Sequence, residues 1–303
     1  MSVPGSLTPS APRSSVAYSL PSNAQRPAPD ASPLCTLANP SSEEEAAWRS
    51  LAVEVYTGQP DADPAAYRRI YESGQLPRKK VWETTQVAYG LRALGFLEGD
   101  SVGLGVGCGV EPLLYFLACH TARLYATDLY GFGWVTAPLE MLHDPARYAP
   151  YDYPRDRLTV LQMNGLGLVM PDASVDFVYS ISTIEHFGGP RYALAHAREA
   201  ARILKPGGVL AFSTEYVLQE GAQGLSPNAR DFFNRTMLDW LILNSGLERI
   251  GPLDLTPAPE LLDDPGVILL PEWTLAQAHF DRLSVRLDDT LFTDVVLFLR
   301  KPV

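Results

Sequence analysis

An α/β architecture, a mostly parallel sheet with helices on both faces, is predicted by three observations. From Gly99 onward, short β-prone apolar runs alternate with helical stretches, as in folds whose helices cover both sides of a parallel sheet. Ser101 to Ala118, SVGLGVGCGVEPLLYFLA, reads as strand, tight turn and helix. A helix through Tyr192 to Leu204 stops at KPGG, after which Val209 to Thr214 is again β-prone.

The chain of 303 residues is long enough for one large α/β domain with additions. Residues 1–40 are rich in Ser, Pro and Ala. That composition buries too little apolar surface to offset its ordering entropy, so a flexible tail is expected. A helical cap is expected over 41–98. Its first helix opens on a Ser41-x-x-Glu44 capping box, its second on Asp63-Pro64, and its third follows Arg78-Lys79-Lys80. In that third helix Val81, Val87, Leu91 and Leu94 can share one face. The Arg78–Lys80 run is read as a solvated face, with contact to an anionic group as the alternative.

Beyond the cap, strands are expected near 101–104, 123–127, 158–163, 175–181 and 209–214. Stretches around 247–255 and 293–299 would close the sheet.

A net charge of −11 and a pI near 4.9 argue against a general nucleic-acid binder, which needs a basic footprint. No run approaches the roughly 20 apolar residues of a membrane span, and the start has no secretory pattern. Cys35, Cys108 and Cys119 show no metal-ligand spacing and suit a reducing compartment. A cytoplasmic protein without membrane or nucleic-acid partners is expected.

Glycines at 103, 105, 107 and 109 let a ligand approach the backbone closely. Asp128 ends the next strand, at the sheet edge where nucleotides bind. An acid there accepts ribose hydroxyls of a nicotinamide dinucleotide or of S-adenosylmethionine, so Asp128 alone does not choose. The glycine spacing does. A dinucleotide fingerprint needs G-x-G-x-x-G, but counting from Gly105 the third place is Val110, and from Gly103 it is Cys108. Glu111, at the helix start, would also repel a pyrophosphate and would welcome a cationic ligand.

SVGLGVGCG, LYATD, VMPDASVDFVYSISTIEHF and EAARILKPGGVLAFSTEY occur in that order. Together they resemble the class I S-adenosylmethionine-dependent methyltransferases over about residues 99–303. The resemblance implies a Rossmann-like, seven-stranded sheet with an antiparallel last strand, and S-adenosylmethionine as cofactor. It places Gly105, Gly107 and Gly109 against the methionine part and ribose. Asp128 falls at the ribose hydroxyls, Leu129 beside the adenine, Asn164 and Gly165 near the adenine amine, and Ser180 at the amino-acid end. Two positions depart from the family pattern: Gly103 stands where an acid is common, and Asn164 replaces the common Asp. Glu111 is either a stand-in that accepts from the cofactor ammonium or a plain helix-start acid.

His186, after the fourth expected strand, is the candidate base, since its ordinary pKa of about 6.5 suits proton removal near neutrality. Alignment alone can also carry methyl transfer. Tyr130, Trp134 and Glu215 are candidates for an acceptor pocket or a lid, with Tyr130 to Asp156 as the lid segment. Asp128, Glu185, His186 and Glu215 are metal-ligand types but show no diagnostic spacing, so no metal is expected. The expected reaction is methyl transfer to an oxygen or nitrogen of a small molecule. A non-catalytic S-adenosylmethionine-binding regulator and a dinucleotide-dependent oxidoreductase are the alternatives.

Overall fold

Three helices precede the main sheet. The computed structural model describes residues 32–33, 43–61, 63–71, 77–132, 136–218, 232–257, 261–263, 265–269, 274–275 and 282–303. A two-residue strand β1 (Ser32–Pro33) is followed by α1 (Glu43–Thr57), α2 (Pro64–Tyr71) and α3 (Arg78–Ala93). The alternation then runs β2 (Val102–Val106), α4 (Pro112–His120), β3 (Arg123–Asp128), β4 (Leu158–Gln162), β5 (Val175–Ser180), α5 (Pro190–Ile203) and β6 (Leu204–Val217). The described chain closes with α6 (Arg235–Ser245), β7 (Glu248–Arg249), β8 (Leu253–Asp254), β9 (Gly266–Leu269), β10 (Thr274–Leu275), β11 (Val285–Leu287) and β12 (Thr290–Arg300).

The main sheet has the order β10-β9-β11-β12-β6-β5-β2-β3-β4, with β7 also pairing β12. Strands β2 to β6 are parallel to one another, and β12 lies antiparallel to β6. The Rossmann-like arrangement and its antiparallel C-terminal strand are therefore as expected. The chain lays β3 and β4 on one side of β2, then returns to place β5 on the other. That reversal opens a crevice beyond the carboxyl ends of β2 and β5, the general ligand position in such sheets.

Four details differ from the sequence reading. Among the described residues the sheet has ten strands where seven were expected, because β6 and β12 are 14 and 11 residues long and outrun their neighbours. The free start of β12 then pairs β11, which pairs β9. The stretch 247–255 yields only β7 and β8, split at Gly251, whose φ of +71° no extended strand accommodates. β6 begins at Leu204 and runs through KPGG, held there by Gly207 N–H donating to the Lys301 carbonyl and Lys301 N–H to that of Gly208. Within the stretch expected to be a flexible tail, Ser32–Pro33 pairs in parallel with Leu253–Asp254.

The N-terminal helices share the core of the sheet. Val81, Val87, Leu91 and Leu94 of the α3 segment are fully buried, and at Gly90 an added Cβ would stand 2.0 Å from the Phe298 ring on β12. A glycine is needed where helix and strand approach so closely. Glu54 of α1 ties two more helices together, taking Arg92 of α3 at 2.7 Å and His120 of α4 at 2.9 Å. No described helix is long and apolar enough to cross a membrane.

Candidate functional site

The turn after β2 is built by backbone geometry. Gly107 and Gly109 have φ of +70° and +50°, values that side chains disfavour. The Gly107 and Cys108 amides donate to the Thr127 carbonyl, docking the turn on β3. Gly105 sits where an added Cβ would lie 2.3 Å from Cys108 Sγ and 2.5 Å from the Tyr179 ring, so its missing side chain makes room for the floor of the turn. Tyr130 is fully buried there and donates through its hydroxyl to the Gly109 carbonyl at 3.1 Å.

Asp128, at the tip of β3, accepts from Gly109 N–H through Oδ2 at 2.8 Å and from Leu129 N–H through Oδ1 at 2.6 Å. Burial still raises its carboxyl above the usual range, against those two bonds. Leu129 beside it is 42% exposed, an apolar surface at the crevice edge. Asn164 turns its own loop by accepting from Leu166 N–H, and the Gly165 carbonyl accepts from His196 Nδ1 at 2.9 Å. Ser180 is fully buried and donates to the Val106 carbonyl, joining the ends of β5 and β2.

Glu111 precedes α4 without capping it, and its Oε2 is buried with no hydrogen-bond donor. Burial raises its carboxyl well above the ordinary range, against the pull of Lys80 and with the repulsion of Glu83 and Asp128. A desolvated acid left without a donor is costly. An ammonium-bearing ligand in the crevice would remove that cost, so the glycine turn, Glu111 and Asp128 fit a cationic adenosyl ligand.

A chain of buried polar groups leads from Glu111 along the strand ends. Glu83 of α3 is fully buried. It pairs with Lys80 at 2.6 Å and accepts from the hydroxyls of Ser182 at 2.7 Å and Ser213 at 2.6 Å. Ser182 holds φ of +41°, unusual for a residue with a side chain, and the Glu83 contact helps fix it. Lys79 of α3 lies 2.5 Å from Asp294 on β12 and 3.9 Å from Glu215 on β6. Thr214 donates to Glu185 Oε2 at 2.8 Å.

At the rim, donor atoms of Glu185, His186 and Glu215 all lie within 4.8 Å of one another. Burial, then the neighbouring Glu215, raises the Glu185 carboxyl well above its ordinary value. Glu215 is held low despite its own burial, because Lys79 lies beside it.

The structure thus brings the expected candidates into two groups. Gly109 of the turn bonds Asp128, Leu129 lies beside that acid, Glu111 opens the helix after the turn, Ser180 ties β5 to β2 and Gly165 sits against Val106, while His186 and Glu215 meet Glu185 in a second group. Tyr130 stands beneath the turn, and Trp134 lies outside the described residues. The Tyr130–Asp156 segment forms three short 3₁₀ turns pinned to helices, with Tyr115 donating to the Pro145 carbonyl and Tyr151 to that of Val55. Lys79, Glu83, Ser182, Ser213 and Asp294 were not singled out from sequence as site residues. Asp294 alone carried a readable signal, an acid inside the apolar run LFTDVVLFL.

Residues 104–212 match the sequence family described as the methyltransferase domain. Among characterised proteins, 27-O-demethylrifamycin SV methyltransferase of Amycolatopsis mediterranei is 27% identical over 194 residues. That alignment covers 61% of this chain and 64% of the relative, just under two thirds of the relative's length. Geranyl diphosphate C-methyltransferase from Streptomyces coelicolor A3(2) shares the fold with a TM-score of 0.53 at 14% identity, over 88% of this chain and 91% of its own. The [4+2]-cyclase SpnF does so with 0.51 at 18%, over 76% and 85%. Residues 104–212 therefore match a methyltransferase domain, set in a fold that the chain shares with these solved structures.

Proposed function

We propose that the protein transfers the methyl group of S-adenosylmethionine to an oxygen or nitrogen of a small-molecule acceptor. The observation that carries the cofactor half of this reading is the buried Glu111 oxygen without a donor, beside the glycine turn and Asp128. S-adenosylmethionine supplies an electrophilic methyl on a positively charged sulfur. Glu111 would accept from its ammonium, Asp128 from the ribose, and Leu129 would cover the adenine. The glycine turn lets the backbone come close without side-chain collision.

The acceptor half rests on the polar rim. Glu185, His186 and Glu215 can take up the proton that a hydroxyl or amine loses on methylation, with His186 as the candidate base. The buried strand ends around them exclude water, which favours close alignment of acceptor and methyl. A relative named for acting on 27-O-demethylrifamycin SV favours oxygen. The shared fold alone decides nothing about the reaction, as the cyclase neighbour shows.

Isothermal calorimetry with S-adenosylmethionine and with NAD tests the first half. Binding of the former alone is expected, and the reverse would sink the reading. Formation of S-adenosylhomocysteine in a panel of hydroxylated and aminated metabolites tests the second. Tight cofactor binding with no turnover across the panel would favour the regulatory alternative.

A further inference from the structure

Glu185 and Glu215 come from different segments, one after β5 and one within β6, yet their carboxyls meet at the rim. Two carboxyls share a buried space only with a proton or a cation between them. Each has one oxygen held by the protein and one without a donor. Thr214 donates to Glu185 Oε2, and Lys79 faces Glu215 Oε1 at 3.9 Å. Glu185 Oε1 and Glu215 Oε2 are buried with no donor from any other group, and the two carboxyls are within hydrogen-bond reach of each other. Glu185 is only 2% exposed, so water does not serve its open oxygen freely. His186 adds a ring nitrogen on the solvent side of the same group.

We infer that Glu185, His186 and Glu215 form a binding site for a divalent first-row transition-metal ion. Ligand atoms about 2.1 Å from an ion stand roughly 3.0 to 4.2 Å apart. The observed limit of 4.8 Å closes to that range by small side-chain rotations. Two carboxylates and one imidazole suit Mn²⁺ and its neighbours in the series better than Ca²⁺, which prefers an all-oxygen shell. The Thr214 hydroxyl orients Glu185, as groups around metal sites commonly do. Lys79 and Lys80 are nearby cations that oppose the ion, and their pairings with Asp294 at 2.5 Å and Glu83 at 2.6 Å offset those charges. Three protein ligands leave coordination positions open on the exposed His186 side, where an acceptor oxygen can bind. With the ion in place His186 is a ligand and the base role proposed above falls away, since a bound ion would itself lower the pKa of a coordinated acceptor hydroxyl and let its proton pass to water. The ion-binding claim itself stands whether or not the methyl acceptor is identified.

The test is titration of the full chain with Mn²⁺ alone, followed by electron paramagnetic resonance of the free ion. One saturable ion per chain is expected, with affinity reduced at least about tenfold in Glu185→Gln, Glu215→Gln and His186→Gln. His186 is exposed, so its substitution leaves the packed interior intact even if a carboxylate variant fails to fold. Glu199→Gln, a carboxylate paired with Arg202 on α5, should bind as the unmodified protein does. Absence of saturable Mn²⁺ binding, or His186→Gln binding as tightly as the unmodified protein, overturns the inference.

Discussion

At the scale of single residues, Glu111 and Gly107 separate ligand binding from folding. Glu111→Gln removes a partly buried acid whose Oε2 has no donor. The ligand-free protein should therefore gain thermal stability or keep it, since an uncompensated buried charge is costly. Affinity for S-adenosylmethionine should fall about tenfold or more, the weight of a charge-assisted hydrogen bond of roughly 1.5–3 kcal/mol. Calorimetry and a melting curve on the same sample check both directions, and unchanged affinity would return Glu111 to a plain helix-start acid. Gly107→Val should act on the turn itself. A Cβ there would lie 2.3 Å from Thr183 at a φ of +70°, so about 1–3 kcal/mol of strain adds to a collision. Loss of cofactor binding together with a lowered melting temperature is the expected pair of results.

At the scale of elements, α3 and α5 each hold a loop of the site through a buried group. Lys79 on α3 is paired with the fully buried Asp294 of β12. Lys79→Met strands that acid and should cost about 3–5 kcal/mol, read from urea denaturation. Lys79→Met combined with Asp294→Leu should recover most of the loss, as when a buried ion pair is replaced whole by apolar side chains. On α5, the Gly165 carbonyl can only accept, so His196 Nδ1 carries the hydrogen, and burial favours the neutral form of the ring.

Burial depresses the His196 pKa, against the Gly165 bond and the Glu199 charge. The unfolded chain therefore takes up a proton first as pH falls. His196 stabilises the fold fully above about pH 6.5 and loses that contribution progressively below it. His196→Asn, which keeps a donor but cannot titrate, should flatten this part of the stability profile between about pH 7 and 5.

At the scale of the whole molecule, a ligand that spans β2, β3 and α4 should stabilise the chain by mass action. S-adenosylmethionine at about 100 times its dissociation constant should add roughly 2.7 kcal/mol. NAD should add nothing, and differential scanning calorimetry reads the contrast directly. The N-terminal helices belong to that same cooperative unit, since α1, α3 and the strands enclose one core cluster. Unfolding in a single transition is the expected result, checked by coincident fluorescence and circular-dichroism curves.

What was legible in the sequence was local. The glycine turn, the strand ending at Asp128 and the helix before KPGG depend on neighbours a few residues apart, and turn geometry and hydrophobic period report such neighbours directly. Even the choice of a cationic over a pyrophosphate ligand could be read from glycine spacing and one acid. The extra strands beyond β12 were not legible. Their pairing depends on how far β6 and β12 overhang the sheet, which no short window contains.

The polar rim was hidden for the same reason. Arg78–Lys80 read as a solvated run, yet Lys79 is buried against an aspartate 215 residues away in sequence. Glu83 drew no notice within its helix, yet it accepts from serines 99 and 130 residues further on. By itself the sequence determined the fold class, the glycine turn after the first strand of the main sheet and the positions of that sheet's parallel strands along the chain. Only the tertiary structure decided that Glu185, His186 and Glu215 meet, because desolvation and charge pairing act between segments that the parallel sheet brings side by side.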